Sequence, residues 1–144
     1  MVDPDLVLVP SLGRPDEDEA LAYALDAFPG ADVILLAVVT PLDAPLSEGA
    51  VLERDEKRVE RARRRSAALI ESVADPETAD RVRIEVAEGR PGTVVPRHAA
   101  DRDVDHVVVY GHDGGSAGLV RRVLGRDVAT TVVERTSRPV TVLK

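Results

Sequence analysis

The sequence predicts an α/β protein, a single doubly wound domain with an open five-stranded parallel sheet and helices on both faces. Three observations lead there. Apolar segments alternate one for one with amphipathic segments along all 144 residues, in the order β-α-β-α-β-α-β-α-β. Most of the apolar segments are continuous aliphatic runs, the pattern of strands covered on both faces. Finally, 44% of residues are apolar but only 2% are aromatic, so Val, Leu, Ile and Ala must build the interior. No internal repeat, low-complexity stretch or long linker divides residues 1–144, and the length suits one hydrophobic core.

The elements follow in order. Asp5-Leu-Val-Leu-Val-Pro10 reads as the first strand, stopping at its proline. From Asp16 to Phe28, Ala20, Leu21, Ala24, Leu25 and Phe28 form one stripe of an amphipathic helix. Its first turn is Asp16 to Glu19, where negative charge complements the helix dipole. Ala31–Val39 is a continuous aliphatic strand, and Pro41–Ala50, with two prolines, reads as a mobile loop. Val51, Leu52, Val59, Ala62, Leu69, Ile70 and Val73 mark a helix of about 25 residues. Arg81–Val86 alternates, and therefore reads as a half-exposed edge strand. A short helix covers Gly92 to Ala100, and Val104–Tyr110 is the next buried strand. The last helix carries Leu119, Val123, Leu124, Val128, Val132 and Val133, and Pro139–Leu143 closes the chain as a strand. Right-handed crossovers in such a fold put ligands at the carboxyl ends of the strands, near the point where the strand order reverses.

Composition excludes several chemistries. With no cysteine there are no disulfides, thiolate nucleophiles or cysteine-ligated metals. A net charge of −7 argues against a nucleic-acid surface, since phosphate contact needs excess Lys and Arg. Of 19 basic residues, 17 are Arg, a bias that a salt-adapted host and a GC-rich genome explain equally well. No apolar run approaches the roughly 18 residues of a membrane span, and Met1–Asp5 lacks the basic start of a signal peptide. A soluble, cytoplasmic protein is expected, without membrane or nucleic-acid partners.

The densest local signal is Tyr110-Gly-His-Asp-Gly-Gly-Ser-Ala-Gly-Leu119, between a buried strand and a helix. Glycines there permit the backbone approach that surrounds an anion with N–H groups, and the helix start adds its dipole. Arg121, Arg122 and Arg126 follow on the same segment. A tight connection that binds nothing is the bland alternative. Gly114-Gly-Ser116-Ala-Gly118 matches the nucleophile elbow, yet His98, His106 and His112 all precede Ser116, and the elbow mechanism needs a later histidine. No P-loop lysine and no G-x-G-x-x-G pattern is present. The run Arg61-Ala-Arg-Arg-Arg65, with Glu53, Asp55, Glu56 and Glu60 nearby, reads as a solvated, internally paired helix face. Asp101, Asp103 and Asp105 lack the glycine and distal glutamate of a calcium loop, and no histidine shows metal spacing. No metal site is expected.

Taken in order, the segments resemble the universal stress protein family over almost the whole chain. Leu8-Val-Pro10 followed by Ala20-Leu-Ala-Tyr-Ala-Leu25 is similar to its first strand and helix. Glu88-Gly-Arg-Pro91, then Val104–Gly111, is similar to its third crossover and fourth strand, and Ser137–Leu143 to its last strand. The resemblance implies a sheet in the order 3-2-1-4-5, a homodimer paired through the last strands, and ATP as the ligand. Members that bind ATP carry G-x-x-G, nine residues, then G-[ST]. Here Gly111 and Gly114 supply the first part, but the nine-residue spacing to Gly125 starts from Gly115, and Arg126 replaces the hydroxyl. Where the family has Asp before glycine after its first strand, this chain has Ser11-Leu12-Gly13-Arg14. By this resemblance Gly111, Gly114, Gly115, Gly125 and Arg126 hold phosphate, while Pro10, Ser11, Leu12 and Val38, with Val39 beside it, border the nucleoside. Arg126 offers a charge-assisted phosphate contact in place of the hydroxyl, or fills the phosphate site and pairs with Asp113 or Asp127.

Two functions remain open at this level. One is a stress-response nucleotide sensor or binding module with an altered phosphate loop. The other is a member that binds no nucleotide and acts through protein contacts, which Leu12 and Arg126 favour. No catalytic residue is assigned; slow ATP hydrolysis would have only Asp113 or His112 as its base.

Overall fold

The continuous aliphatic runs occupy the middle of a parallel sheet. In the computed structural model, which describes residues 4–40, 48–111 and 128–144, the elements are β1 (Leu6–Ser11), α1 (Glu17–Ala27), β2 (Asp32–Val39), α2 (Glu48–Val73), α3 (Pro76–Ala79), β3 (Val82–Glu88), α4 (Pro91–Asp101), β4 (His106–Tyr110), α5 (Val128–Arg135) and β5 (Val140–Leu143). The sheet order is β3-β2-β1-β4-β5 and every pairing is parallel. This is the expected doubly wound architecture.

Period-two alternation sends β1 and β2 to two cores. Leu8, Ile34, Leu36 and Val38 face one side with Val94, Val95, Ala99 and Val132 of α4 and α5. Val7, Val9, Val33 and Leu35 face the other with Ala20, Leu21, Ala24 and Leu25 of α1. Farther along that second face, Ala62 of α2 sits against Ala37 and Val39. An alanine there lets the long helix approach the carboxyl end of β2.

Polar side chains close the ends of the elements. α1 has no basic residue in its last turn. Instead Arg81, far along the chain, donates to Leu25 O, Phe28 O and Ala31 O at 3.3, 3.1 and 2.6 Å. The Asp105 carboxylate accepts from the N–H groups of Asp5 and Leu6 at 2.8 and 3.0 Å, and Asp103 pairs with Arg138 at 3.0 Å. Two members of the acidic run are thus structural, and among the described residues no group of three or more side chains can hold a metal ion. Gly89 carries φ +139°, and a Cβ there would lie 2.5 Å from Val94, so the turn from β3 into α4 requires glycine.

The structure corrects the sequence reading in a few places. Val133 is 46% exposed and leaves the apolar stripe of α5, which buries Ala129 and Val132. The one-turn helix α3 is an addition to the sequence pattern; Asp75 caps it by accepting from Thr78 N at 2.7 Å. α2 begins at Glu48, inside the expected loop, and residues 41–47 of that loop lie outside the described residues. The start of the last helix, with Leu119, Val123 and Leu124, lies outside them as well.

Both sheet edges are visible. β3 carries Arg83 and Glu85, and Glu85 takes Arg83, His98 and Arg102 at 3.1, 2.6 and 2.8 Å. Burial works against the Glu85 anion, but the hydrogen bonds and charges of Arg102 and His98 outweigh it and hold the carboxyl below its usual value. β5, by contrast, has no charged residue within Val140–Leu143.

His106 of β4 is half-buried, with its Nε2 2.7 Å from Thr141 Oγ1 and its ring 4.9 Å from that of Phe28. Burial pushes its pKa below 6.5. The folded state therefore takes up a proton less readily than the unfolded chain, so this group's contribution is complete above pH 6.5 and is lost as pH falls towards the folded value. In urea titrations across that window, His106→Phe is expected to show a shallower acid loss of stability than the parent; parallel curves would contradict it.

Candidate functional site

The turn that leaves β1 is organised by one carboxylate. Glu17 opens α1, yet it is only 6% exposed. Its Oε2 accepts from Leu12 N at 2.6 Å, and its Oε1 accepts from Gly13 N at 3.1 Å, Arg14 N at 3.2 Å and the Ser11 hydroxyl at 3.2 Å. Three successive backbone N–H groups converging on an anion make a nest, and here the protein's own glutamate fills it. Gly13 has φ +79°, which the bend needs.

This turn forms one side of a cavity of about 280 Å³ beyond the carboxyl ends of β1 and β2. Leu12, Val38 and Val39 supply its apolar side and Thr40 its rim. The opposite side belongs to α2, through Arg58, Arg61, Ala62 and Arg65. The size is near the lower end of small-molecule pockets, about 300–1,000 Å³, but the accessible lining is mostly polar where such pockets are mostly apolar. A Cβ on Gly13 would stand 3.1, 3.2 and 3.3 Å from Cζ, Nη1 and Nη2 of Arg65, so the guanidinium plane lies flat across that glycine.

The residues expected to border a ligand separate into groups. Leu12 and Val38 come together in the cavity, joined by Val39. Ser11 is fully buried and turned to Glu17, and Pro10 lies in the ladder opposite Leu36; neither lines the cavity. Gly111 sits at the end of β4, where its N–H donates to Leu143 O at 2.7 Å and a Cβ would lie 3.0 Å from Val142. Gly114, Gly115, Gly125 and Arg126, together with His112 and Asp113, lie outside the described residues.

Sequence reasoning missed the arginines. The run at 61–65 reads as one solvated face, but the helix divides it. Arg64 pairs outward with Glu60 at 3.6 Å, whereas Arg61 and Arg65 line the cavity. The available signal was the spacing Arg58, Arg61, Ala62, Arg65, which is a single helical stripe.

A sequence profile described as the Universal stress protein family matches residues 5–144. The chain belongs to this family. Solved structures agree at the level of fold. The hypothetical protein MJ0577 superposes with a TM-score of 0.77 at 22% identity, covering 99% of this chain and 97% of that one. A universal stress protein in complex with cAMP gives 0.62 at 19% identity over 99% and 98%. The universal stress protein of Archaeoglobus fulgidus in complex with dAMP gives 0.57 at 15% identity over 100% of both chains. No significant match to a curated protein was found. Among the described residues no helix is long and apolar enough to cross a membrane.

Removing the internal anion strands buried donors in the turn of this universal stress protein. Glu17→Ala is expected to cost about 1–3 kcal/mol in chemical denaturation at neutral pH. An unchanged midpoint and slope would show that the turn stands without its glutamate.

Proposed function

We propose that this universal stress protein is a stress-response binding module for an adenine nucleotide of the ATP type, with an altered phosphate loop, and that it acts by binding without turnover. The observation carrying this reading is the cavity at the carboxyl ends of β1 and β2, where Leu12 and Val38 offer apolar surface to a base and arginines offer charge to phosphate. Its place agrees with the general rule for doubly wound sheets, whose ligands sit outside the strand ends. The two related structures holding cAMP and dAMP support the same ligand class. In this reading Gly111, Gly114, Gly115, Gly125 and Arg126 contribute the phosphate loop, with Arg126 supplying charge where relatives have a hydroxyl.

A second reading has its own observation. The N–H groups of Leu12, Gly13 and Arg14 are spent on Glu17, and that of Gly111 on β5. A member that binds no nucleotide and works through protein contacts would have that arrangement. Denaturing extraction followed by mass spectrometry, beside a melting titration with ATP, separates the two. Ligand at 100 times its dissociation constant stabilises by about 2.7 kcal/mol, so released nucleotide or a raised Tm supports the module. No nucleotide and no shift, at low and at molar salt, supports the interaction reading.

We also propose that the protein is a cytoplasmic homodimer joined through β5. Among the described residues no strand pairs with the outer side of β5, and this uncharged apolar edge invites pairing while β3 is guarded by charge. Pro139 O and Leu143 O accept from β4, so by alternation Val140 and Val142 direct their N–H groups outward. Val142→Pro is expected to yield a folded monomer where the parent sediments as a dimer. A parent that stays monomeric at high concentration, in low and high salt, would refute the pairing.

A further inference from the structure

Resting on the nucleotide reading but going beyond it, we infer that Arg61 and Arg65 of α2 form an oxyanion subsite that takes a phosphate of the ligand on the helix side of the cavity. Arg58, Arg61, Ala62 and Arg65 follow one another at i, i+3, i+4 and i+7, so all four look the same way, and all four line the cavity. Ala62 is 1% exposed and packs on Ala37 and Val39, which draws this stripe close to the end of β2. The flat guanidinium of Arg65 rests on Gly13, positioned by the turn that Glu17 holds.

Charge points the same way. The protein carries 26 acidic residues and a net charge of −7, so partners for arginine are plentiful. Arg64 and Arg83 have them within 3.6 and 3.1 Å. Among the described residues Arg61 and Arg65 make no ion pair. Like charges at i, i+4 on a helix repel, and an anion between Arg61 and Arg65 removes that repulsion. The planar fork of guanidinium donors matches phosphate oxygens in pairs, which a lysine does not. Leu12, Val38 and Val39 supply the smaller, apolar part of the same lining, against which the uncharged body of the ligand would rest. The ligand class is therefore a nucleoside phosphate whose phosphate reaches α2.

Calorimetric titration of the full chain with AMP, adenosine and pyrophosphate tests this. The parent, R61Q/R65Q and R63Q/R64Q are compared, the last pair changing net charge equally on the neighbouring helix positions. The parent is expected to bind AMP at least about tenfold more tightly than adenosine. R61Q/R65Q loses that preference while still binding adenosine, and R63Q/R64Q keeps it. Equal binding of AMP and adenosine by the parent overturns the subsite. So does a preference that survives in R61Q/R65Q, or one that falls as much in R63Q/R64Q. If the parent binds no adenosine or AMP but binds pyrophosphate through Arg61 and Arg65, the oxyanion subsite stands and the nucleotide reading falls. If it binds none of the three, the subsite falls.

Discussion

Glu17 bends back over the first turn of the chain, and much of the site depends on that contact. Its carboxylate gathers the Ser11 hydroxyl and three backbone N–H groups, fixing the turn between β1 and α1. Leu12 thereby comes to line the cavity, and Gly13 becomes the surface on which Arg65 lies. An anion at a helix start gains from the dipole and from unpaired N–H groups, so the same physics that recruits phosphate to such turns is used here internally. The backbone donors of the turn are thereby satisfied internally, and the cavity beside them is lined by side chains of β2 and α2 together with Leu12.

The sheet supplies the rigid frame for that cavity. β1 and β2 are almost wholly buried, with Val7, Leu8, Val9 and Ile34 to Ala37 at 0–1% exposure. The ladder between them runs from Leu6 with Asp32 to Ser11 with Ala37, so the carboxyl ends of both strands come level at the cavity. Valine and isoleucine restrict their own side chains and pack densely, which suits a core with only one phenylalanine. Electrostatics then acts at the margins: Glu85 gathers three cations on the β3 edge, Arg81 closes α1, and Asp105 joins β4 to the start of β1.

Most of the fold was legible because it rests on local periodicity. The aliphatic runs at 5–10, 31–39 and 104–110 read as covered strands by their length and β-branched content, and alternation at 81–86 marked the edge. The site was legible only in part. Leu12 and Val38 stand at strand ends, where doubly wound sheets place ligands, and both line the cavity there. The contact of Ser11 with Glu17 was not legible, because a hydrogen bond between residues six apart leaves no periodic trace.

What the sequence determined by itself is the alternation of strand and helix, the covered centre of the sheet, the absence of thiol chemistry, and the membership that their order implied. These follow from patterns that each segment carries alone. The tertiary structure decided which polar groups are satisfied internally and which remain available. Arg61 and Arg64 look alike in the chain, but the 100° rotation per residue of α2 sends one to the cavity and the other to Glu60. Glu17 belongs by sequence to an ordinary acidic first turn, and only the bend at Gly13 brings three amides to it. Side-chain direction and the meeting of distant segments exist only once the chain has folded, and the chemistry of this pocket is made of both.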